Sequence, residues 1–98
     1  MAFNGTKVIC HICDNDIYFD CEEHSGSKEV CLQISAACNV LVAHAIRMGV
    51  KPKQYTQARV HLEMLKPSEA SKEVFESVMA FIRELEEAYP DNIKIYKA

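Results

Sequence analysis

The sequence predicts an α+β fold in one domain spanning residues 1–98, with the element order ββαβαβ. Two alternating apolar and polar stretches near the N-terminus are separated by turn residues, the pattern of a β-hairpin. Two longer segments have helical character, one almost wholly apolar and one amphipathic. A third alternating stretch lies between the helices, and a short apolar stretch ends the chain. We therefore expect a four-stranded, mainly antiparallel sheet with two helices packed on one face.

The hairpin is predicted from residues 6–13 and 17–22, with Asp14-Asn15-Asp16 as the turn. In the second strand Ile17, Phe19 and Cys21 alternate with polar neighbours, which predicts one buried face. A polar loop then leads into the first helix.

The first helix is predicted from Val30 to Met48, with Gly49 ending it in a left-handed turn. Few of its positions are polar, so we expect it to lie buried at the centre of the domain. It is also expected to fall short of the roughly 20 apolar residues that a membrane span requires. The polar residues that interrupt it are Gln33, Asn39, His44 and Arg47.

The rest of the chain is predicted to cover this helix. Residues 50–57 contain Pro52 and have no regular pattern, whereas residues 58–65 alternate as a third strand. Ser68 is the expected N-cap of an amphipathic second helix that Pro90 ends. Residues 93–96 supply a fourth strand.

Composition limits the classes of function. The net charge is −3 and the basic residues are scattered, so no nucleic-acid or anionic-membrane partner is expected. The N-terminus has no signal-peptide pattern, which predicts a cytoplasmic protein. Five cysteines, an odd number, predict reduced thiols rather than a disulfide framework.

Cys31 is the candidate for chemistry because it is predicted at or next to the first helical residue. Backbone N–H groups and the helix dipole stabilise negative charge there. His24, seven residues upstream, is placed to form an ion pair with the thiolate. Such a pair performs acyl transfer in cysteine hydrolases. The alternative is that Cys31 is simply a small apolar residue of the core.

These residues resemble the ribosomal-processing cysteine protease family, Prp. The resemblance rests on His24, Cys31, Ser35 and the closing segment Glu84-Leu85-Glu86-Glu87-Ala88-Tyr89-Pro90. It implies a small bacterial homodimer without a cofactor that removes the N-terminal extension of large-subunit ribosomal protein twenty-seven.

The resemblance also assigns roles to individual residues. Cys31 would be the nucleophile, His24 the acid/base and Ser35 a supporting hydroxyl. A loop is expected to order over the bound peptide, and it comprises Ser25, Gly26, Ser27, Lys28 and Glu29. Departures from the family pattern at Glu23, Lys28 and Gln33 mark where peptide specificity is expected to differ.

Two alternatives stand beside the protease. One is a non-catalytic dimeric module of the same fold that binds a peptide or a ribosomal protein. The other is a zinc-binding domain, since zinc accepts cysteine and histidine ligands. The zinc ligands would be Cys10, Cys13, Cys21 and His24. We rank this set below the interpretation of Cys10 and Cys21 as core residues, because Cys10 and Cys13 project to opposite faces of a regular strand.

Overall fold

A computed structural model describes residues 5–22 and 27–98. Its elements follow the predicted order, with one short strand added between the first helix and the predicted third strand. In chain order they are β1 (Thr6–Ile12), β2 (Asp16–Glu22), α1 (Lys28–Arg47), β3 (Gln54–Tyr55), β4 (Arg59–Leu65), α2 (Glu69–Ala88) and β5 (Ile93–Lys97).

The strands form one five-stranded sheet in the order β3-β4-β2-β1-β5. β5 pairs in parallel with β1, and the other neighbouring strands are antiparallel, which confirms the mainly antiparallel prediction. The predicted number of four strands is wrong by one. The additional strand, β3, has only two residues, Gln54 and Tyr55, which is too short to show an alternating pattern.

The β3–β4 connection explains why a polar segment joins the sheet. Thr56 N–H donates to the carbonyl of Arg59 over 2.9 Å, and the Thr56 hydroxyl accepts from the N–H of Arg59 over 3.1 Å. These bonds turn the chain so that Tyr55 pairs with Val60. The strand therefore depends on β4 and on a local turn rather than on its own residues.

One face of the sheet is buried beneath both helices, as predicted. Core side chains alternate along the strands, and the fully buried Phe19 of β2 lies opposite Cys10 of β1 and Leu62 of β4. α2 contributes a buried stripe at helical spacing. This stripe consists of Ser71, Phe75, Met79, Ile82 and Leu85.

The prediction that α1 is buried at the centre is wrong. α1 packs against α2 and β4, while α2 covers β1 and β5, so the two helices share the face. Leu32, Val40 and Ile46 of α1 are 64%, 53% and 58% exposed. An almost wholly apolar helix has no polar face to show which side meets water.

α1 is long and apolar enough to span a membrane, contrary to the prediction that it would fall short. Its 20 residues have a mean hydropathy of 1.5 in the most apolar window, which suffices by length and composition. Seven of its residues belong to the buried core, as in an ordinary core helix. They are Val30, Ile34, Ala37, Cys38, Leu41, Val42 and Ala45.

The predicted C-terminal turn of α1 and the predicted N-cap of α2 are confirmed, whereas α1 begins two residues before the predicted Val30. Gly49 has φ of 80°, and the N–H groups of Gly49 and Val50 donate to Ile46 and Ala45 over 3.0 and 2.9 Å. This is the paired hydrogen-bond pattern of a Schellman C-cap. At the start of α2 the Ser68 hydroxyl accepts from the N–H of Ser71 over 3.1 Å.

Candidate active site

The start of α1 places Cys31. Ser27 is the N-cap, and its hydroxyl accepts from the N–H of Val30 over 3.4 Å. The N–H of Cys31 donates to the carbonyl of Ser27 over 3.0 Å, so Cys31 is the fourth residue of the helix. The thiol thus lies at the end of the first turn, further into the helix than predicted. The dipole effect is still present there, since it extends over the first turn.

Part of the predicted substrate loop is helical instead. Lys28 and Glu29 are helical and Ser27 caps them, so these three residues belong to the start of α1. The prediction failed here because Lys28 and Glu29 are polar and follow a Gly-Ser pair, which resembles a loop in sequence. His24, Ser25 and Gly26 lie outside the described residues, as does Glu23. The pairing of His24 with Cys31 therefore remains a prediction.

Cys31 lies at the boundary between the buried and exposed sides of α1. Val30 before it is fully buried, and Leu32 after it is 64% exposed. Cys31 itself is half-buried, so part of the residue is open to solvent. Ser35 is also half-buried, and a spacing of four residues places it on the same face one turn further along.

A surface groove of about 530 Å³ continues from Ser35 along α1 towards the β3–β4 turn. Across it the Tyr55 hydroxyl donates to Asn39 Oδ1 over 2.5 Å, linking β3 to α1. The lining residues are Ser35, Cys38, Asn39, Tyr55, Thr56, Gln57 and Val60. Tyr55 was missed in the sequence because residues 50–57 were assigned no element, and Asn39 was then seen only as a polar residue of the first helix. The signal in the sequence that could have identified the groove was Tyr55, an aromatic residue in an otherwise polar connection.

The predicted alternative zinc set does not assemble. Cys10 and Cys21 are 8% and 0% exposed and point into the core, whereas Cys13 is exposed at the hairpin turn. Burial also raises the pKa of the Cys10 thiol, which disfavours the thiolate that zinc would need. The core interpretation of Cys10 and Cys21 is confirmed. The fourth predicted ligand, His24, is outside the described residues.

The other histidines are bound to groups away from Cys31. His44 Nε2 and the Ser71 hydroxyl form a 2.8 Å hydrogen bond between α1 and α2, so the His44 imidazole has a partner within the fold. His11 Nε2 lies 2.9 Å from Asp16 Oδ2, and His61 Nε2 lies 2.9 Å from Glu63 Oε2. Both carboxylates belong to the sheet face opposite the helices.

The described architecture defines a class of small α+β proteins in which a hairpin leads to a helix with a cysteine in its first turn. Within this class, the chain has the fold of the ribosomal processing protease Prp. Prp from S. aureus, crystallised with a covalently linked product peptide, matches with a TM-score of 0.74 and 17% identity. The match covers 95% of this chain and 99% of that chain.

A second solved structure has the same fold. SMU.848 from Streptococcus mutans matches with a TM-score of 0.74 and 15% identity, covering 96% of this chain and 94% of that chain. No protein-family model and no curated protein matches the sequence. The predicted resemblance to Prp is confirmed as a likeness of fold.

Proposed function

We propose that this protein is a bacterial cysteine endopeptidase that removes an N-terminal extension from large-subunit ribosomal protein twenty-seven. The observation that carries the proposal is the correspondence of fold with Prp along nearly the whole of both chains. Cys31, half-buried in the first turn of α1, supplies a nucleophile in a position that a peptide can reach.

The chemistry is acyl transfer through a thioester. The Cys31 thiolate attacks the scissile carbonyl carbon, a C–S bond forms, and the C–N bond breaks as His24 protonates the leaving amine. Water then attacks the thioester with His24 as the base, which releases the carboxylate and restores the thiol. Backbone N–H groups of Lys28 and Glu29, at the positive end of α1, stabilise the negative charge that develops.

The groove beside Ser35 is the proposed binding site for the peptide. It begins one helical turn from Cys31 and ends at the β3–β4 turn, so an extended peptide can follow α1 away from the thiol. Asn39 and Tyr55 present hydrogen-bonding groups to it, and Ser35 supplies a supporting hydroxyl. A crystal structure of S. aureus Prp contains a substrate peptide, which agrees with a peptide partner for this fold.

The proposal includes a homodimer in the cytoplasm. The exposed apolar side chains of α1, among them Leu32, Val40 and Ile46, offer a surface for a second copy. Val40→Glu is therefore expected to shift the protein from dimer to monomer in size-exclusion chromatography with light scattering. Ser77→Glu, at an exposed position of α2, is the control and should remain dimeric. An unchanged dimer in Val40→Glu would rule out this face as the interface.

Cleavage of the extended ribosomal protein tests the activity. Cys31→Ala and His24→Ala are each expected to lower kcat/KM by about 10³-fold or more, because nucleophile and base act as a unit. Ser77→Ala should cleave like the wild type. Binding of the extended protein with no cleavage by the wild type would instead support the non-catalytic peptide-binding module.

Thiol labelling gives a test that needs no substrate. Iodoacetamide is expected to modify Cys31 faster than the exposed Cys13 in the same molecule, as measured by peptide mass spectrometry. The advantage should disappear in His24→Ala. Slow labelling of both thiols that is unchanged in His24→Ala would contradict the dyad.

A further inference from the structure

The β1–β2 turn brings three metal-ligating side chains together on the sheet face opposite the helices. His11 and Cys13 are two residues apart, so they project to the same side, and Asp16 begins the partner strand. The register pairs Ile12 with Ile17, and the N–H of Cys13 donates to the carbonyl of Asp16 over 3.0 Å. Cys13 and Asp16 are therefore cross-strand neighbours, with His11 diagonal to Asp16.

The donor atoms already lie within the dimensions of a metal site. His11 Nε2 is 2.9 Å from Asp16 Oδ2, and Cys13 Sγ is 2.9 Å from Asp16 Oδ1. One ligand atom from each of the three residues lies within 4.8 Å of the other two. Ligands of a tetrahedral zinc ion, with bonds of about 2.0–2.3 Å, are separated by roughly 3.5 Å. The present separations, 2.9 Å for two pairs and at most 4.8 Å for the third, are close to that spacing.

Neighbouring contacts hold the turn in place. The ring of His11 stacks on Tyr18 with centroids 6.1 Å apart. Lys72 Nζ contacts Asp14 Oδ1 over 3.0 Å, and the N–H of Lys66 donates to the carbonyl of Asn15 over 2.8 Å. The turn is thus tied to the first turn of α2 and to the end of β4. A site that is ordered before binding loses less entropy when an ion arrives.

We propose that His11, Cys13 and Asp16 bind one divalent transition-metal ion of the zinc type. An imidazole, a thiolate and a carboxylate form a donor set that zinc accepts and that magnesium and calcium do not prefer. Cys13 is exposed and the other two are half-buried, so the fourth position is open to water.

Binding exchanges protons for the ion. The Cys13 thiol, which donates to Asp16 in this structure, loses its proton to solvent as the metal–sulfur bond forms. His11 Nε2 donates its proton to Asp16 Oδ2 in this structure, and it can bind the metal only after it gives that proton to solvent and the ring carries its proton on Nδ1 instead. Asp16 binds through a carboxylate oxygen, a ligand that zinc accepts.

The site is separate from the proposed active site. The β1–β2 turn lies at the opposite end of these strands from Glu22, where the chain leaves towards α1 and Cys31. The metal proposal therefore does not depend on the peptidase proposal. Its ligand set also differs from the predicted zinc set, with which it shares only Cys13. The spacing His11-x-Cys13-x-x-Asp16 identifies a site only once the turn register is known.

Titration with Co²⁺, a spectroscopic substitute for zinc, tests the site. Cys31→Ala is the parent protein, because it removes the half-buried thiol of the active-site region. We expect one Co²⁺ per chain, with a near-ultraviolet thiolate-to-metal band and the visible bands of a four-coordinate ion, all displaced by Zn²⁺. Circular dichroism of each variant without metal verifies folding.

Substitutions then identify the ligands. Cys13→Ala in the parent should abolish the thiolate band, and His11→Asn or Asp16→Asn should weaken binding by about tenfold or more, equal to about 1.4 kcal/mol each. His61→Asn is the matched control, a histidine of the same sheet face outside the cluster, and should bind like the parent. Absence of a thiolate band in the parent, or its persistence in Cys13→Ala, would overturn the proposal.

Discussion

Arg59 of β4 forms a two-pronged ion pair with Asp20 of β2 on the sheet face opposite the helices. Nε and Nη2 of Arg59 lie 2.9 and 2.6 Å from Oδ1 and Oδ2 of Asp20. Asp20 is only 5% exposed, although it is charged. A buried carboxylate needs such a partner, because an unpaired charge there would lose its hydration without compensation.

Arg59→Met is expected to lower the free energy of unfolding by about 1–3 kcal/mol, since it leaves the Asp20 carboxylate buried and without its guanidinium. Urea denaturation at neutral pH measures the change. Lys53→Met is the matched control, because the Lys53 and Glu63 pair is 3.6 Å apart and Lys53 is 61% exposed. Such surface pairs contribute less than about 1 kcal/mol. Equal losses in the two variants would contradict a special role for the Asp20 pair.

The same pair predicts an acid dependence of stability. Hydrogen bonds from Arg59 hold the pKa of Asp20 below its usual range, although burial acts in the opposite direction. A carboxyl whose pKa is lower in the folded state stabilises the fold above its unfolded pKa of about 3.9. That contribution is lost as the pH falls through the folded pKa.

We therefore expect wild type to be more stable than Asp20→Asn near pH 7 and the difference to shrink towards about pH 3. In an Arg59→Met parent the shrinkage should weaken or vanish, because only His61 and a hydrogen bond from Tyr18 then oppose the effect of burial, which raises the pKa of Asp20. Urea denaturation of the four proteins across this range checks both expectations. A difference that grows towards acid in wild type would show that burial outweighs the ion pair.

The elements of the fold could be predicted where side-chain alternation is set by burial. Phe19 and Leu62 are fully buried core residues on neighbouring strands, and each strand was visible from its own residues. β3 could not be predicted in this way, since the pairing of Tyr55 with Val60 depends on a turn and on the edge of β4. Strand order likewise depends on contacts between segments distant in sequence.

The candidate site could be predicted less completely than the fold. Cys31 could be selected by residue type and its nearness to a helix start, but its exact turn depended on Ser27 acting as the cap. Asn39 and Tyr55 meet only because β3 folds back beside α1. The apolar composition of α1 concealed its exposed side. Sequence patterns therefore indicated the proposed nucleophile and left the groove to be found in the structure.

Gly49→Ala is expected to destabilise the protein by about 1–2 kcal/mol, the cost of a left-handed backbone for an L-residue with a Cβ. Gly49 has φ of 80°, and a Cβ at this position would meet no atom within 4 Å. The cost is therefore conformational rather than steric crowding. Gly49→Asn should lose less, because asparagine tolerates this conformation better. Thermal and urea unfolding check the ranking, and equal losses would argue against the backbone explanation.

Ser27 connects helix capping with the proposed activity. Ser27→Ala removes the acceptor for the Val30 N–H and should cost about 1 kcal/mol of stability. Because Ser27 also accepts the first helical hydrogen bond from Cys31 through its carbonyl, fraying at this cap should displace the thiol. We expect kcat/KM for the extended ribosomal protein to fall by about tenfold, less than the roughly 10²-fold cost of a 1 Å displacement.

Ser68→Ala provides the comparison, since Ser68 caps α2 in the same way through the Ser71 N–H at 3.1 Å. It should lose similar stability while its kcat/KM stays near that of wild type. Ser27→Asn, which retains a capping side chain, should recover most of the activity. If Ser68→Ala lost as much activity as Ser27→Ala at equal stability, activity would follow the stability of the whole fold rather than the position of Cys31. The two caps therefore separate a local effect on the proposed nucleophile, Cys31, from a global effect on stability.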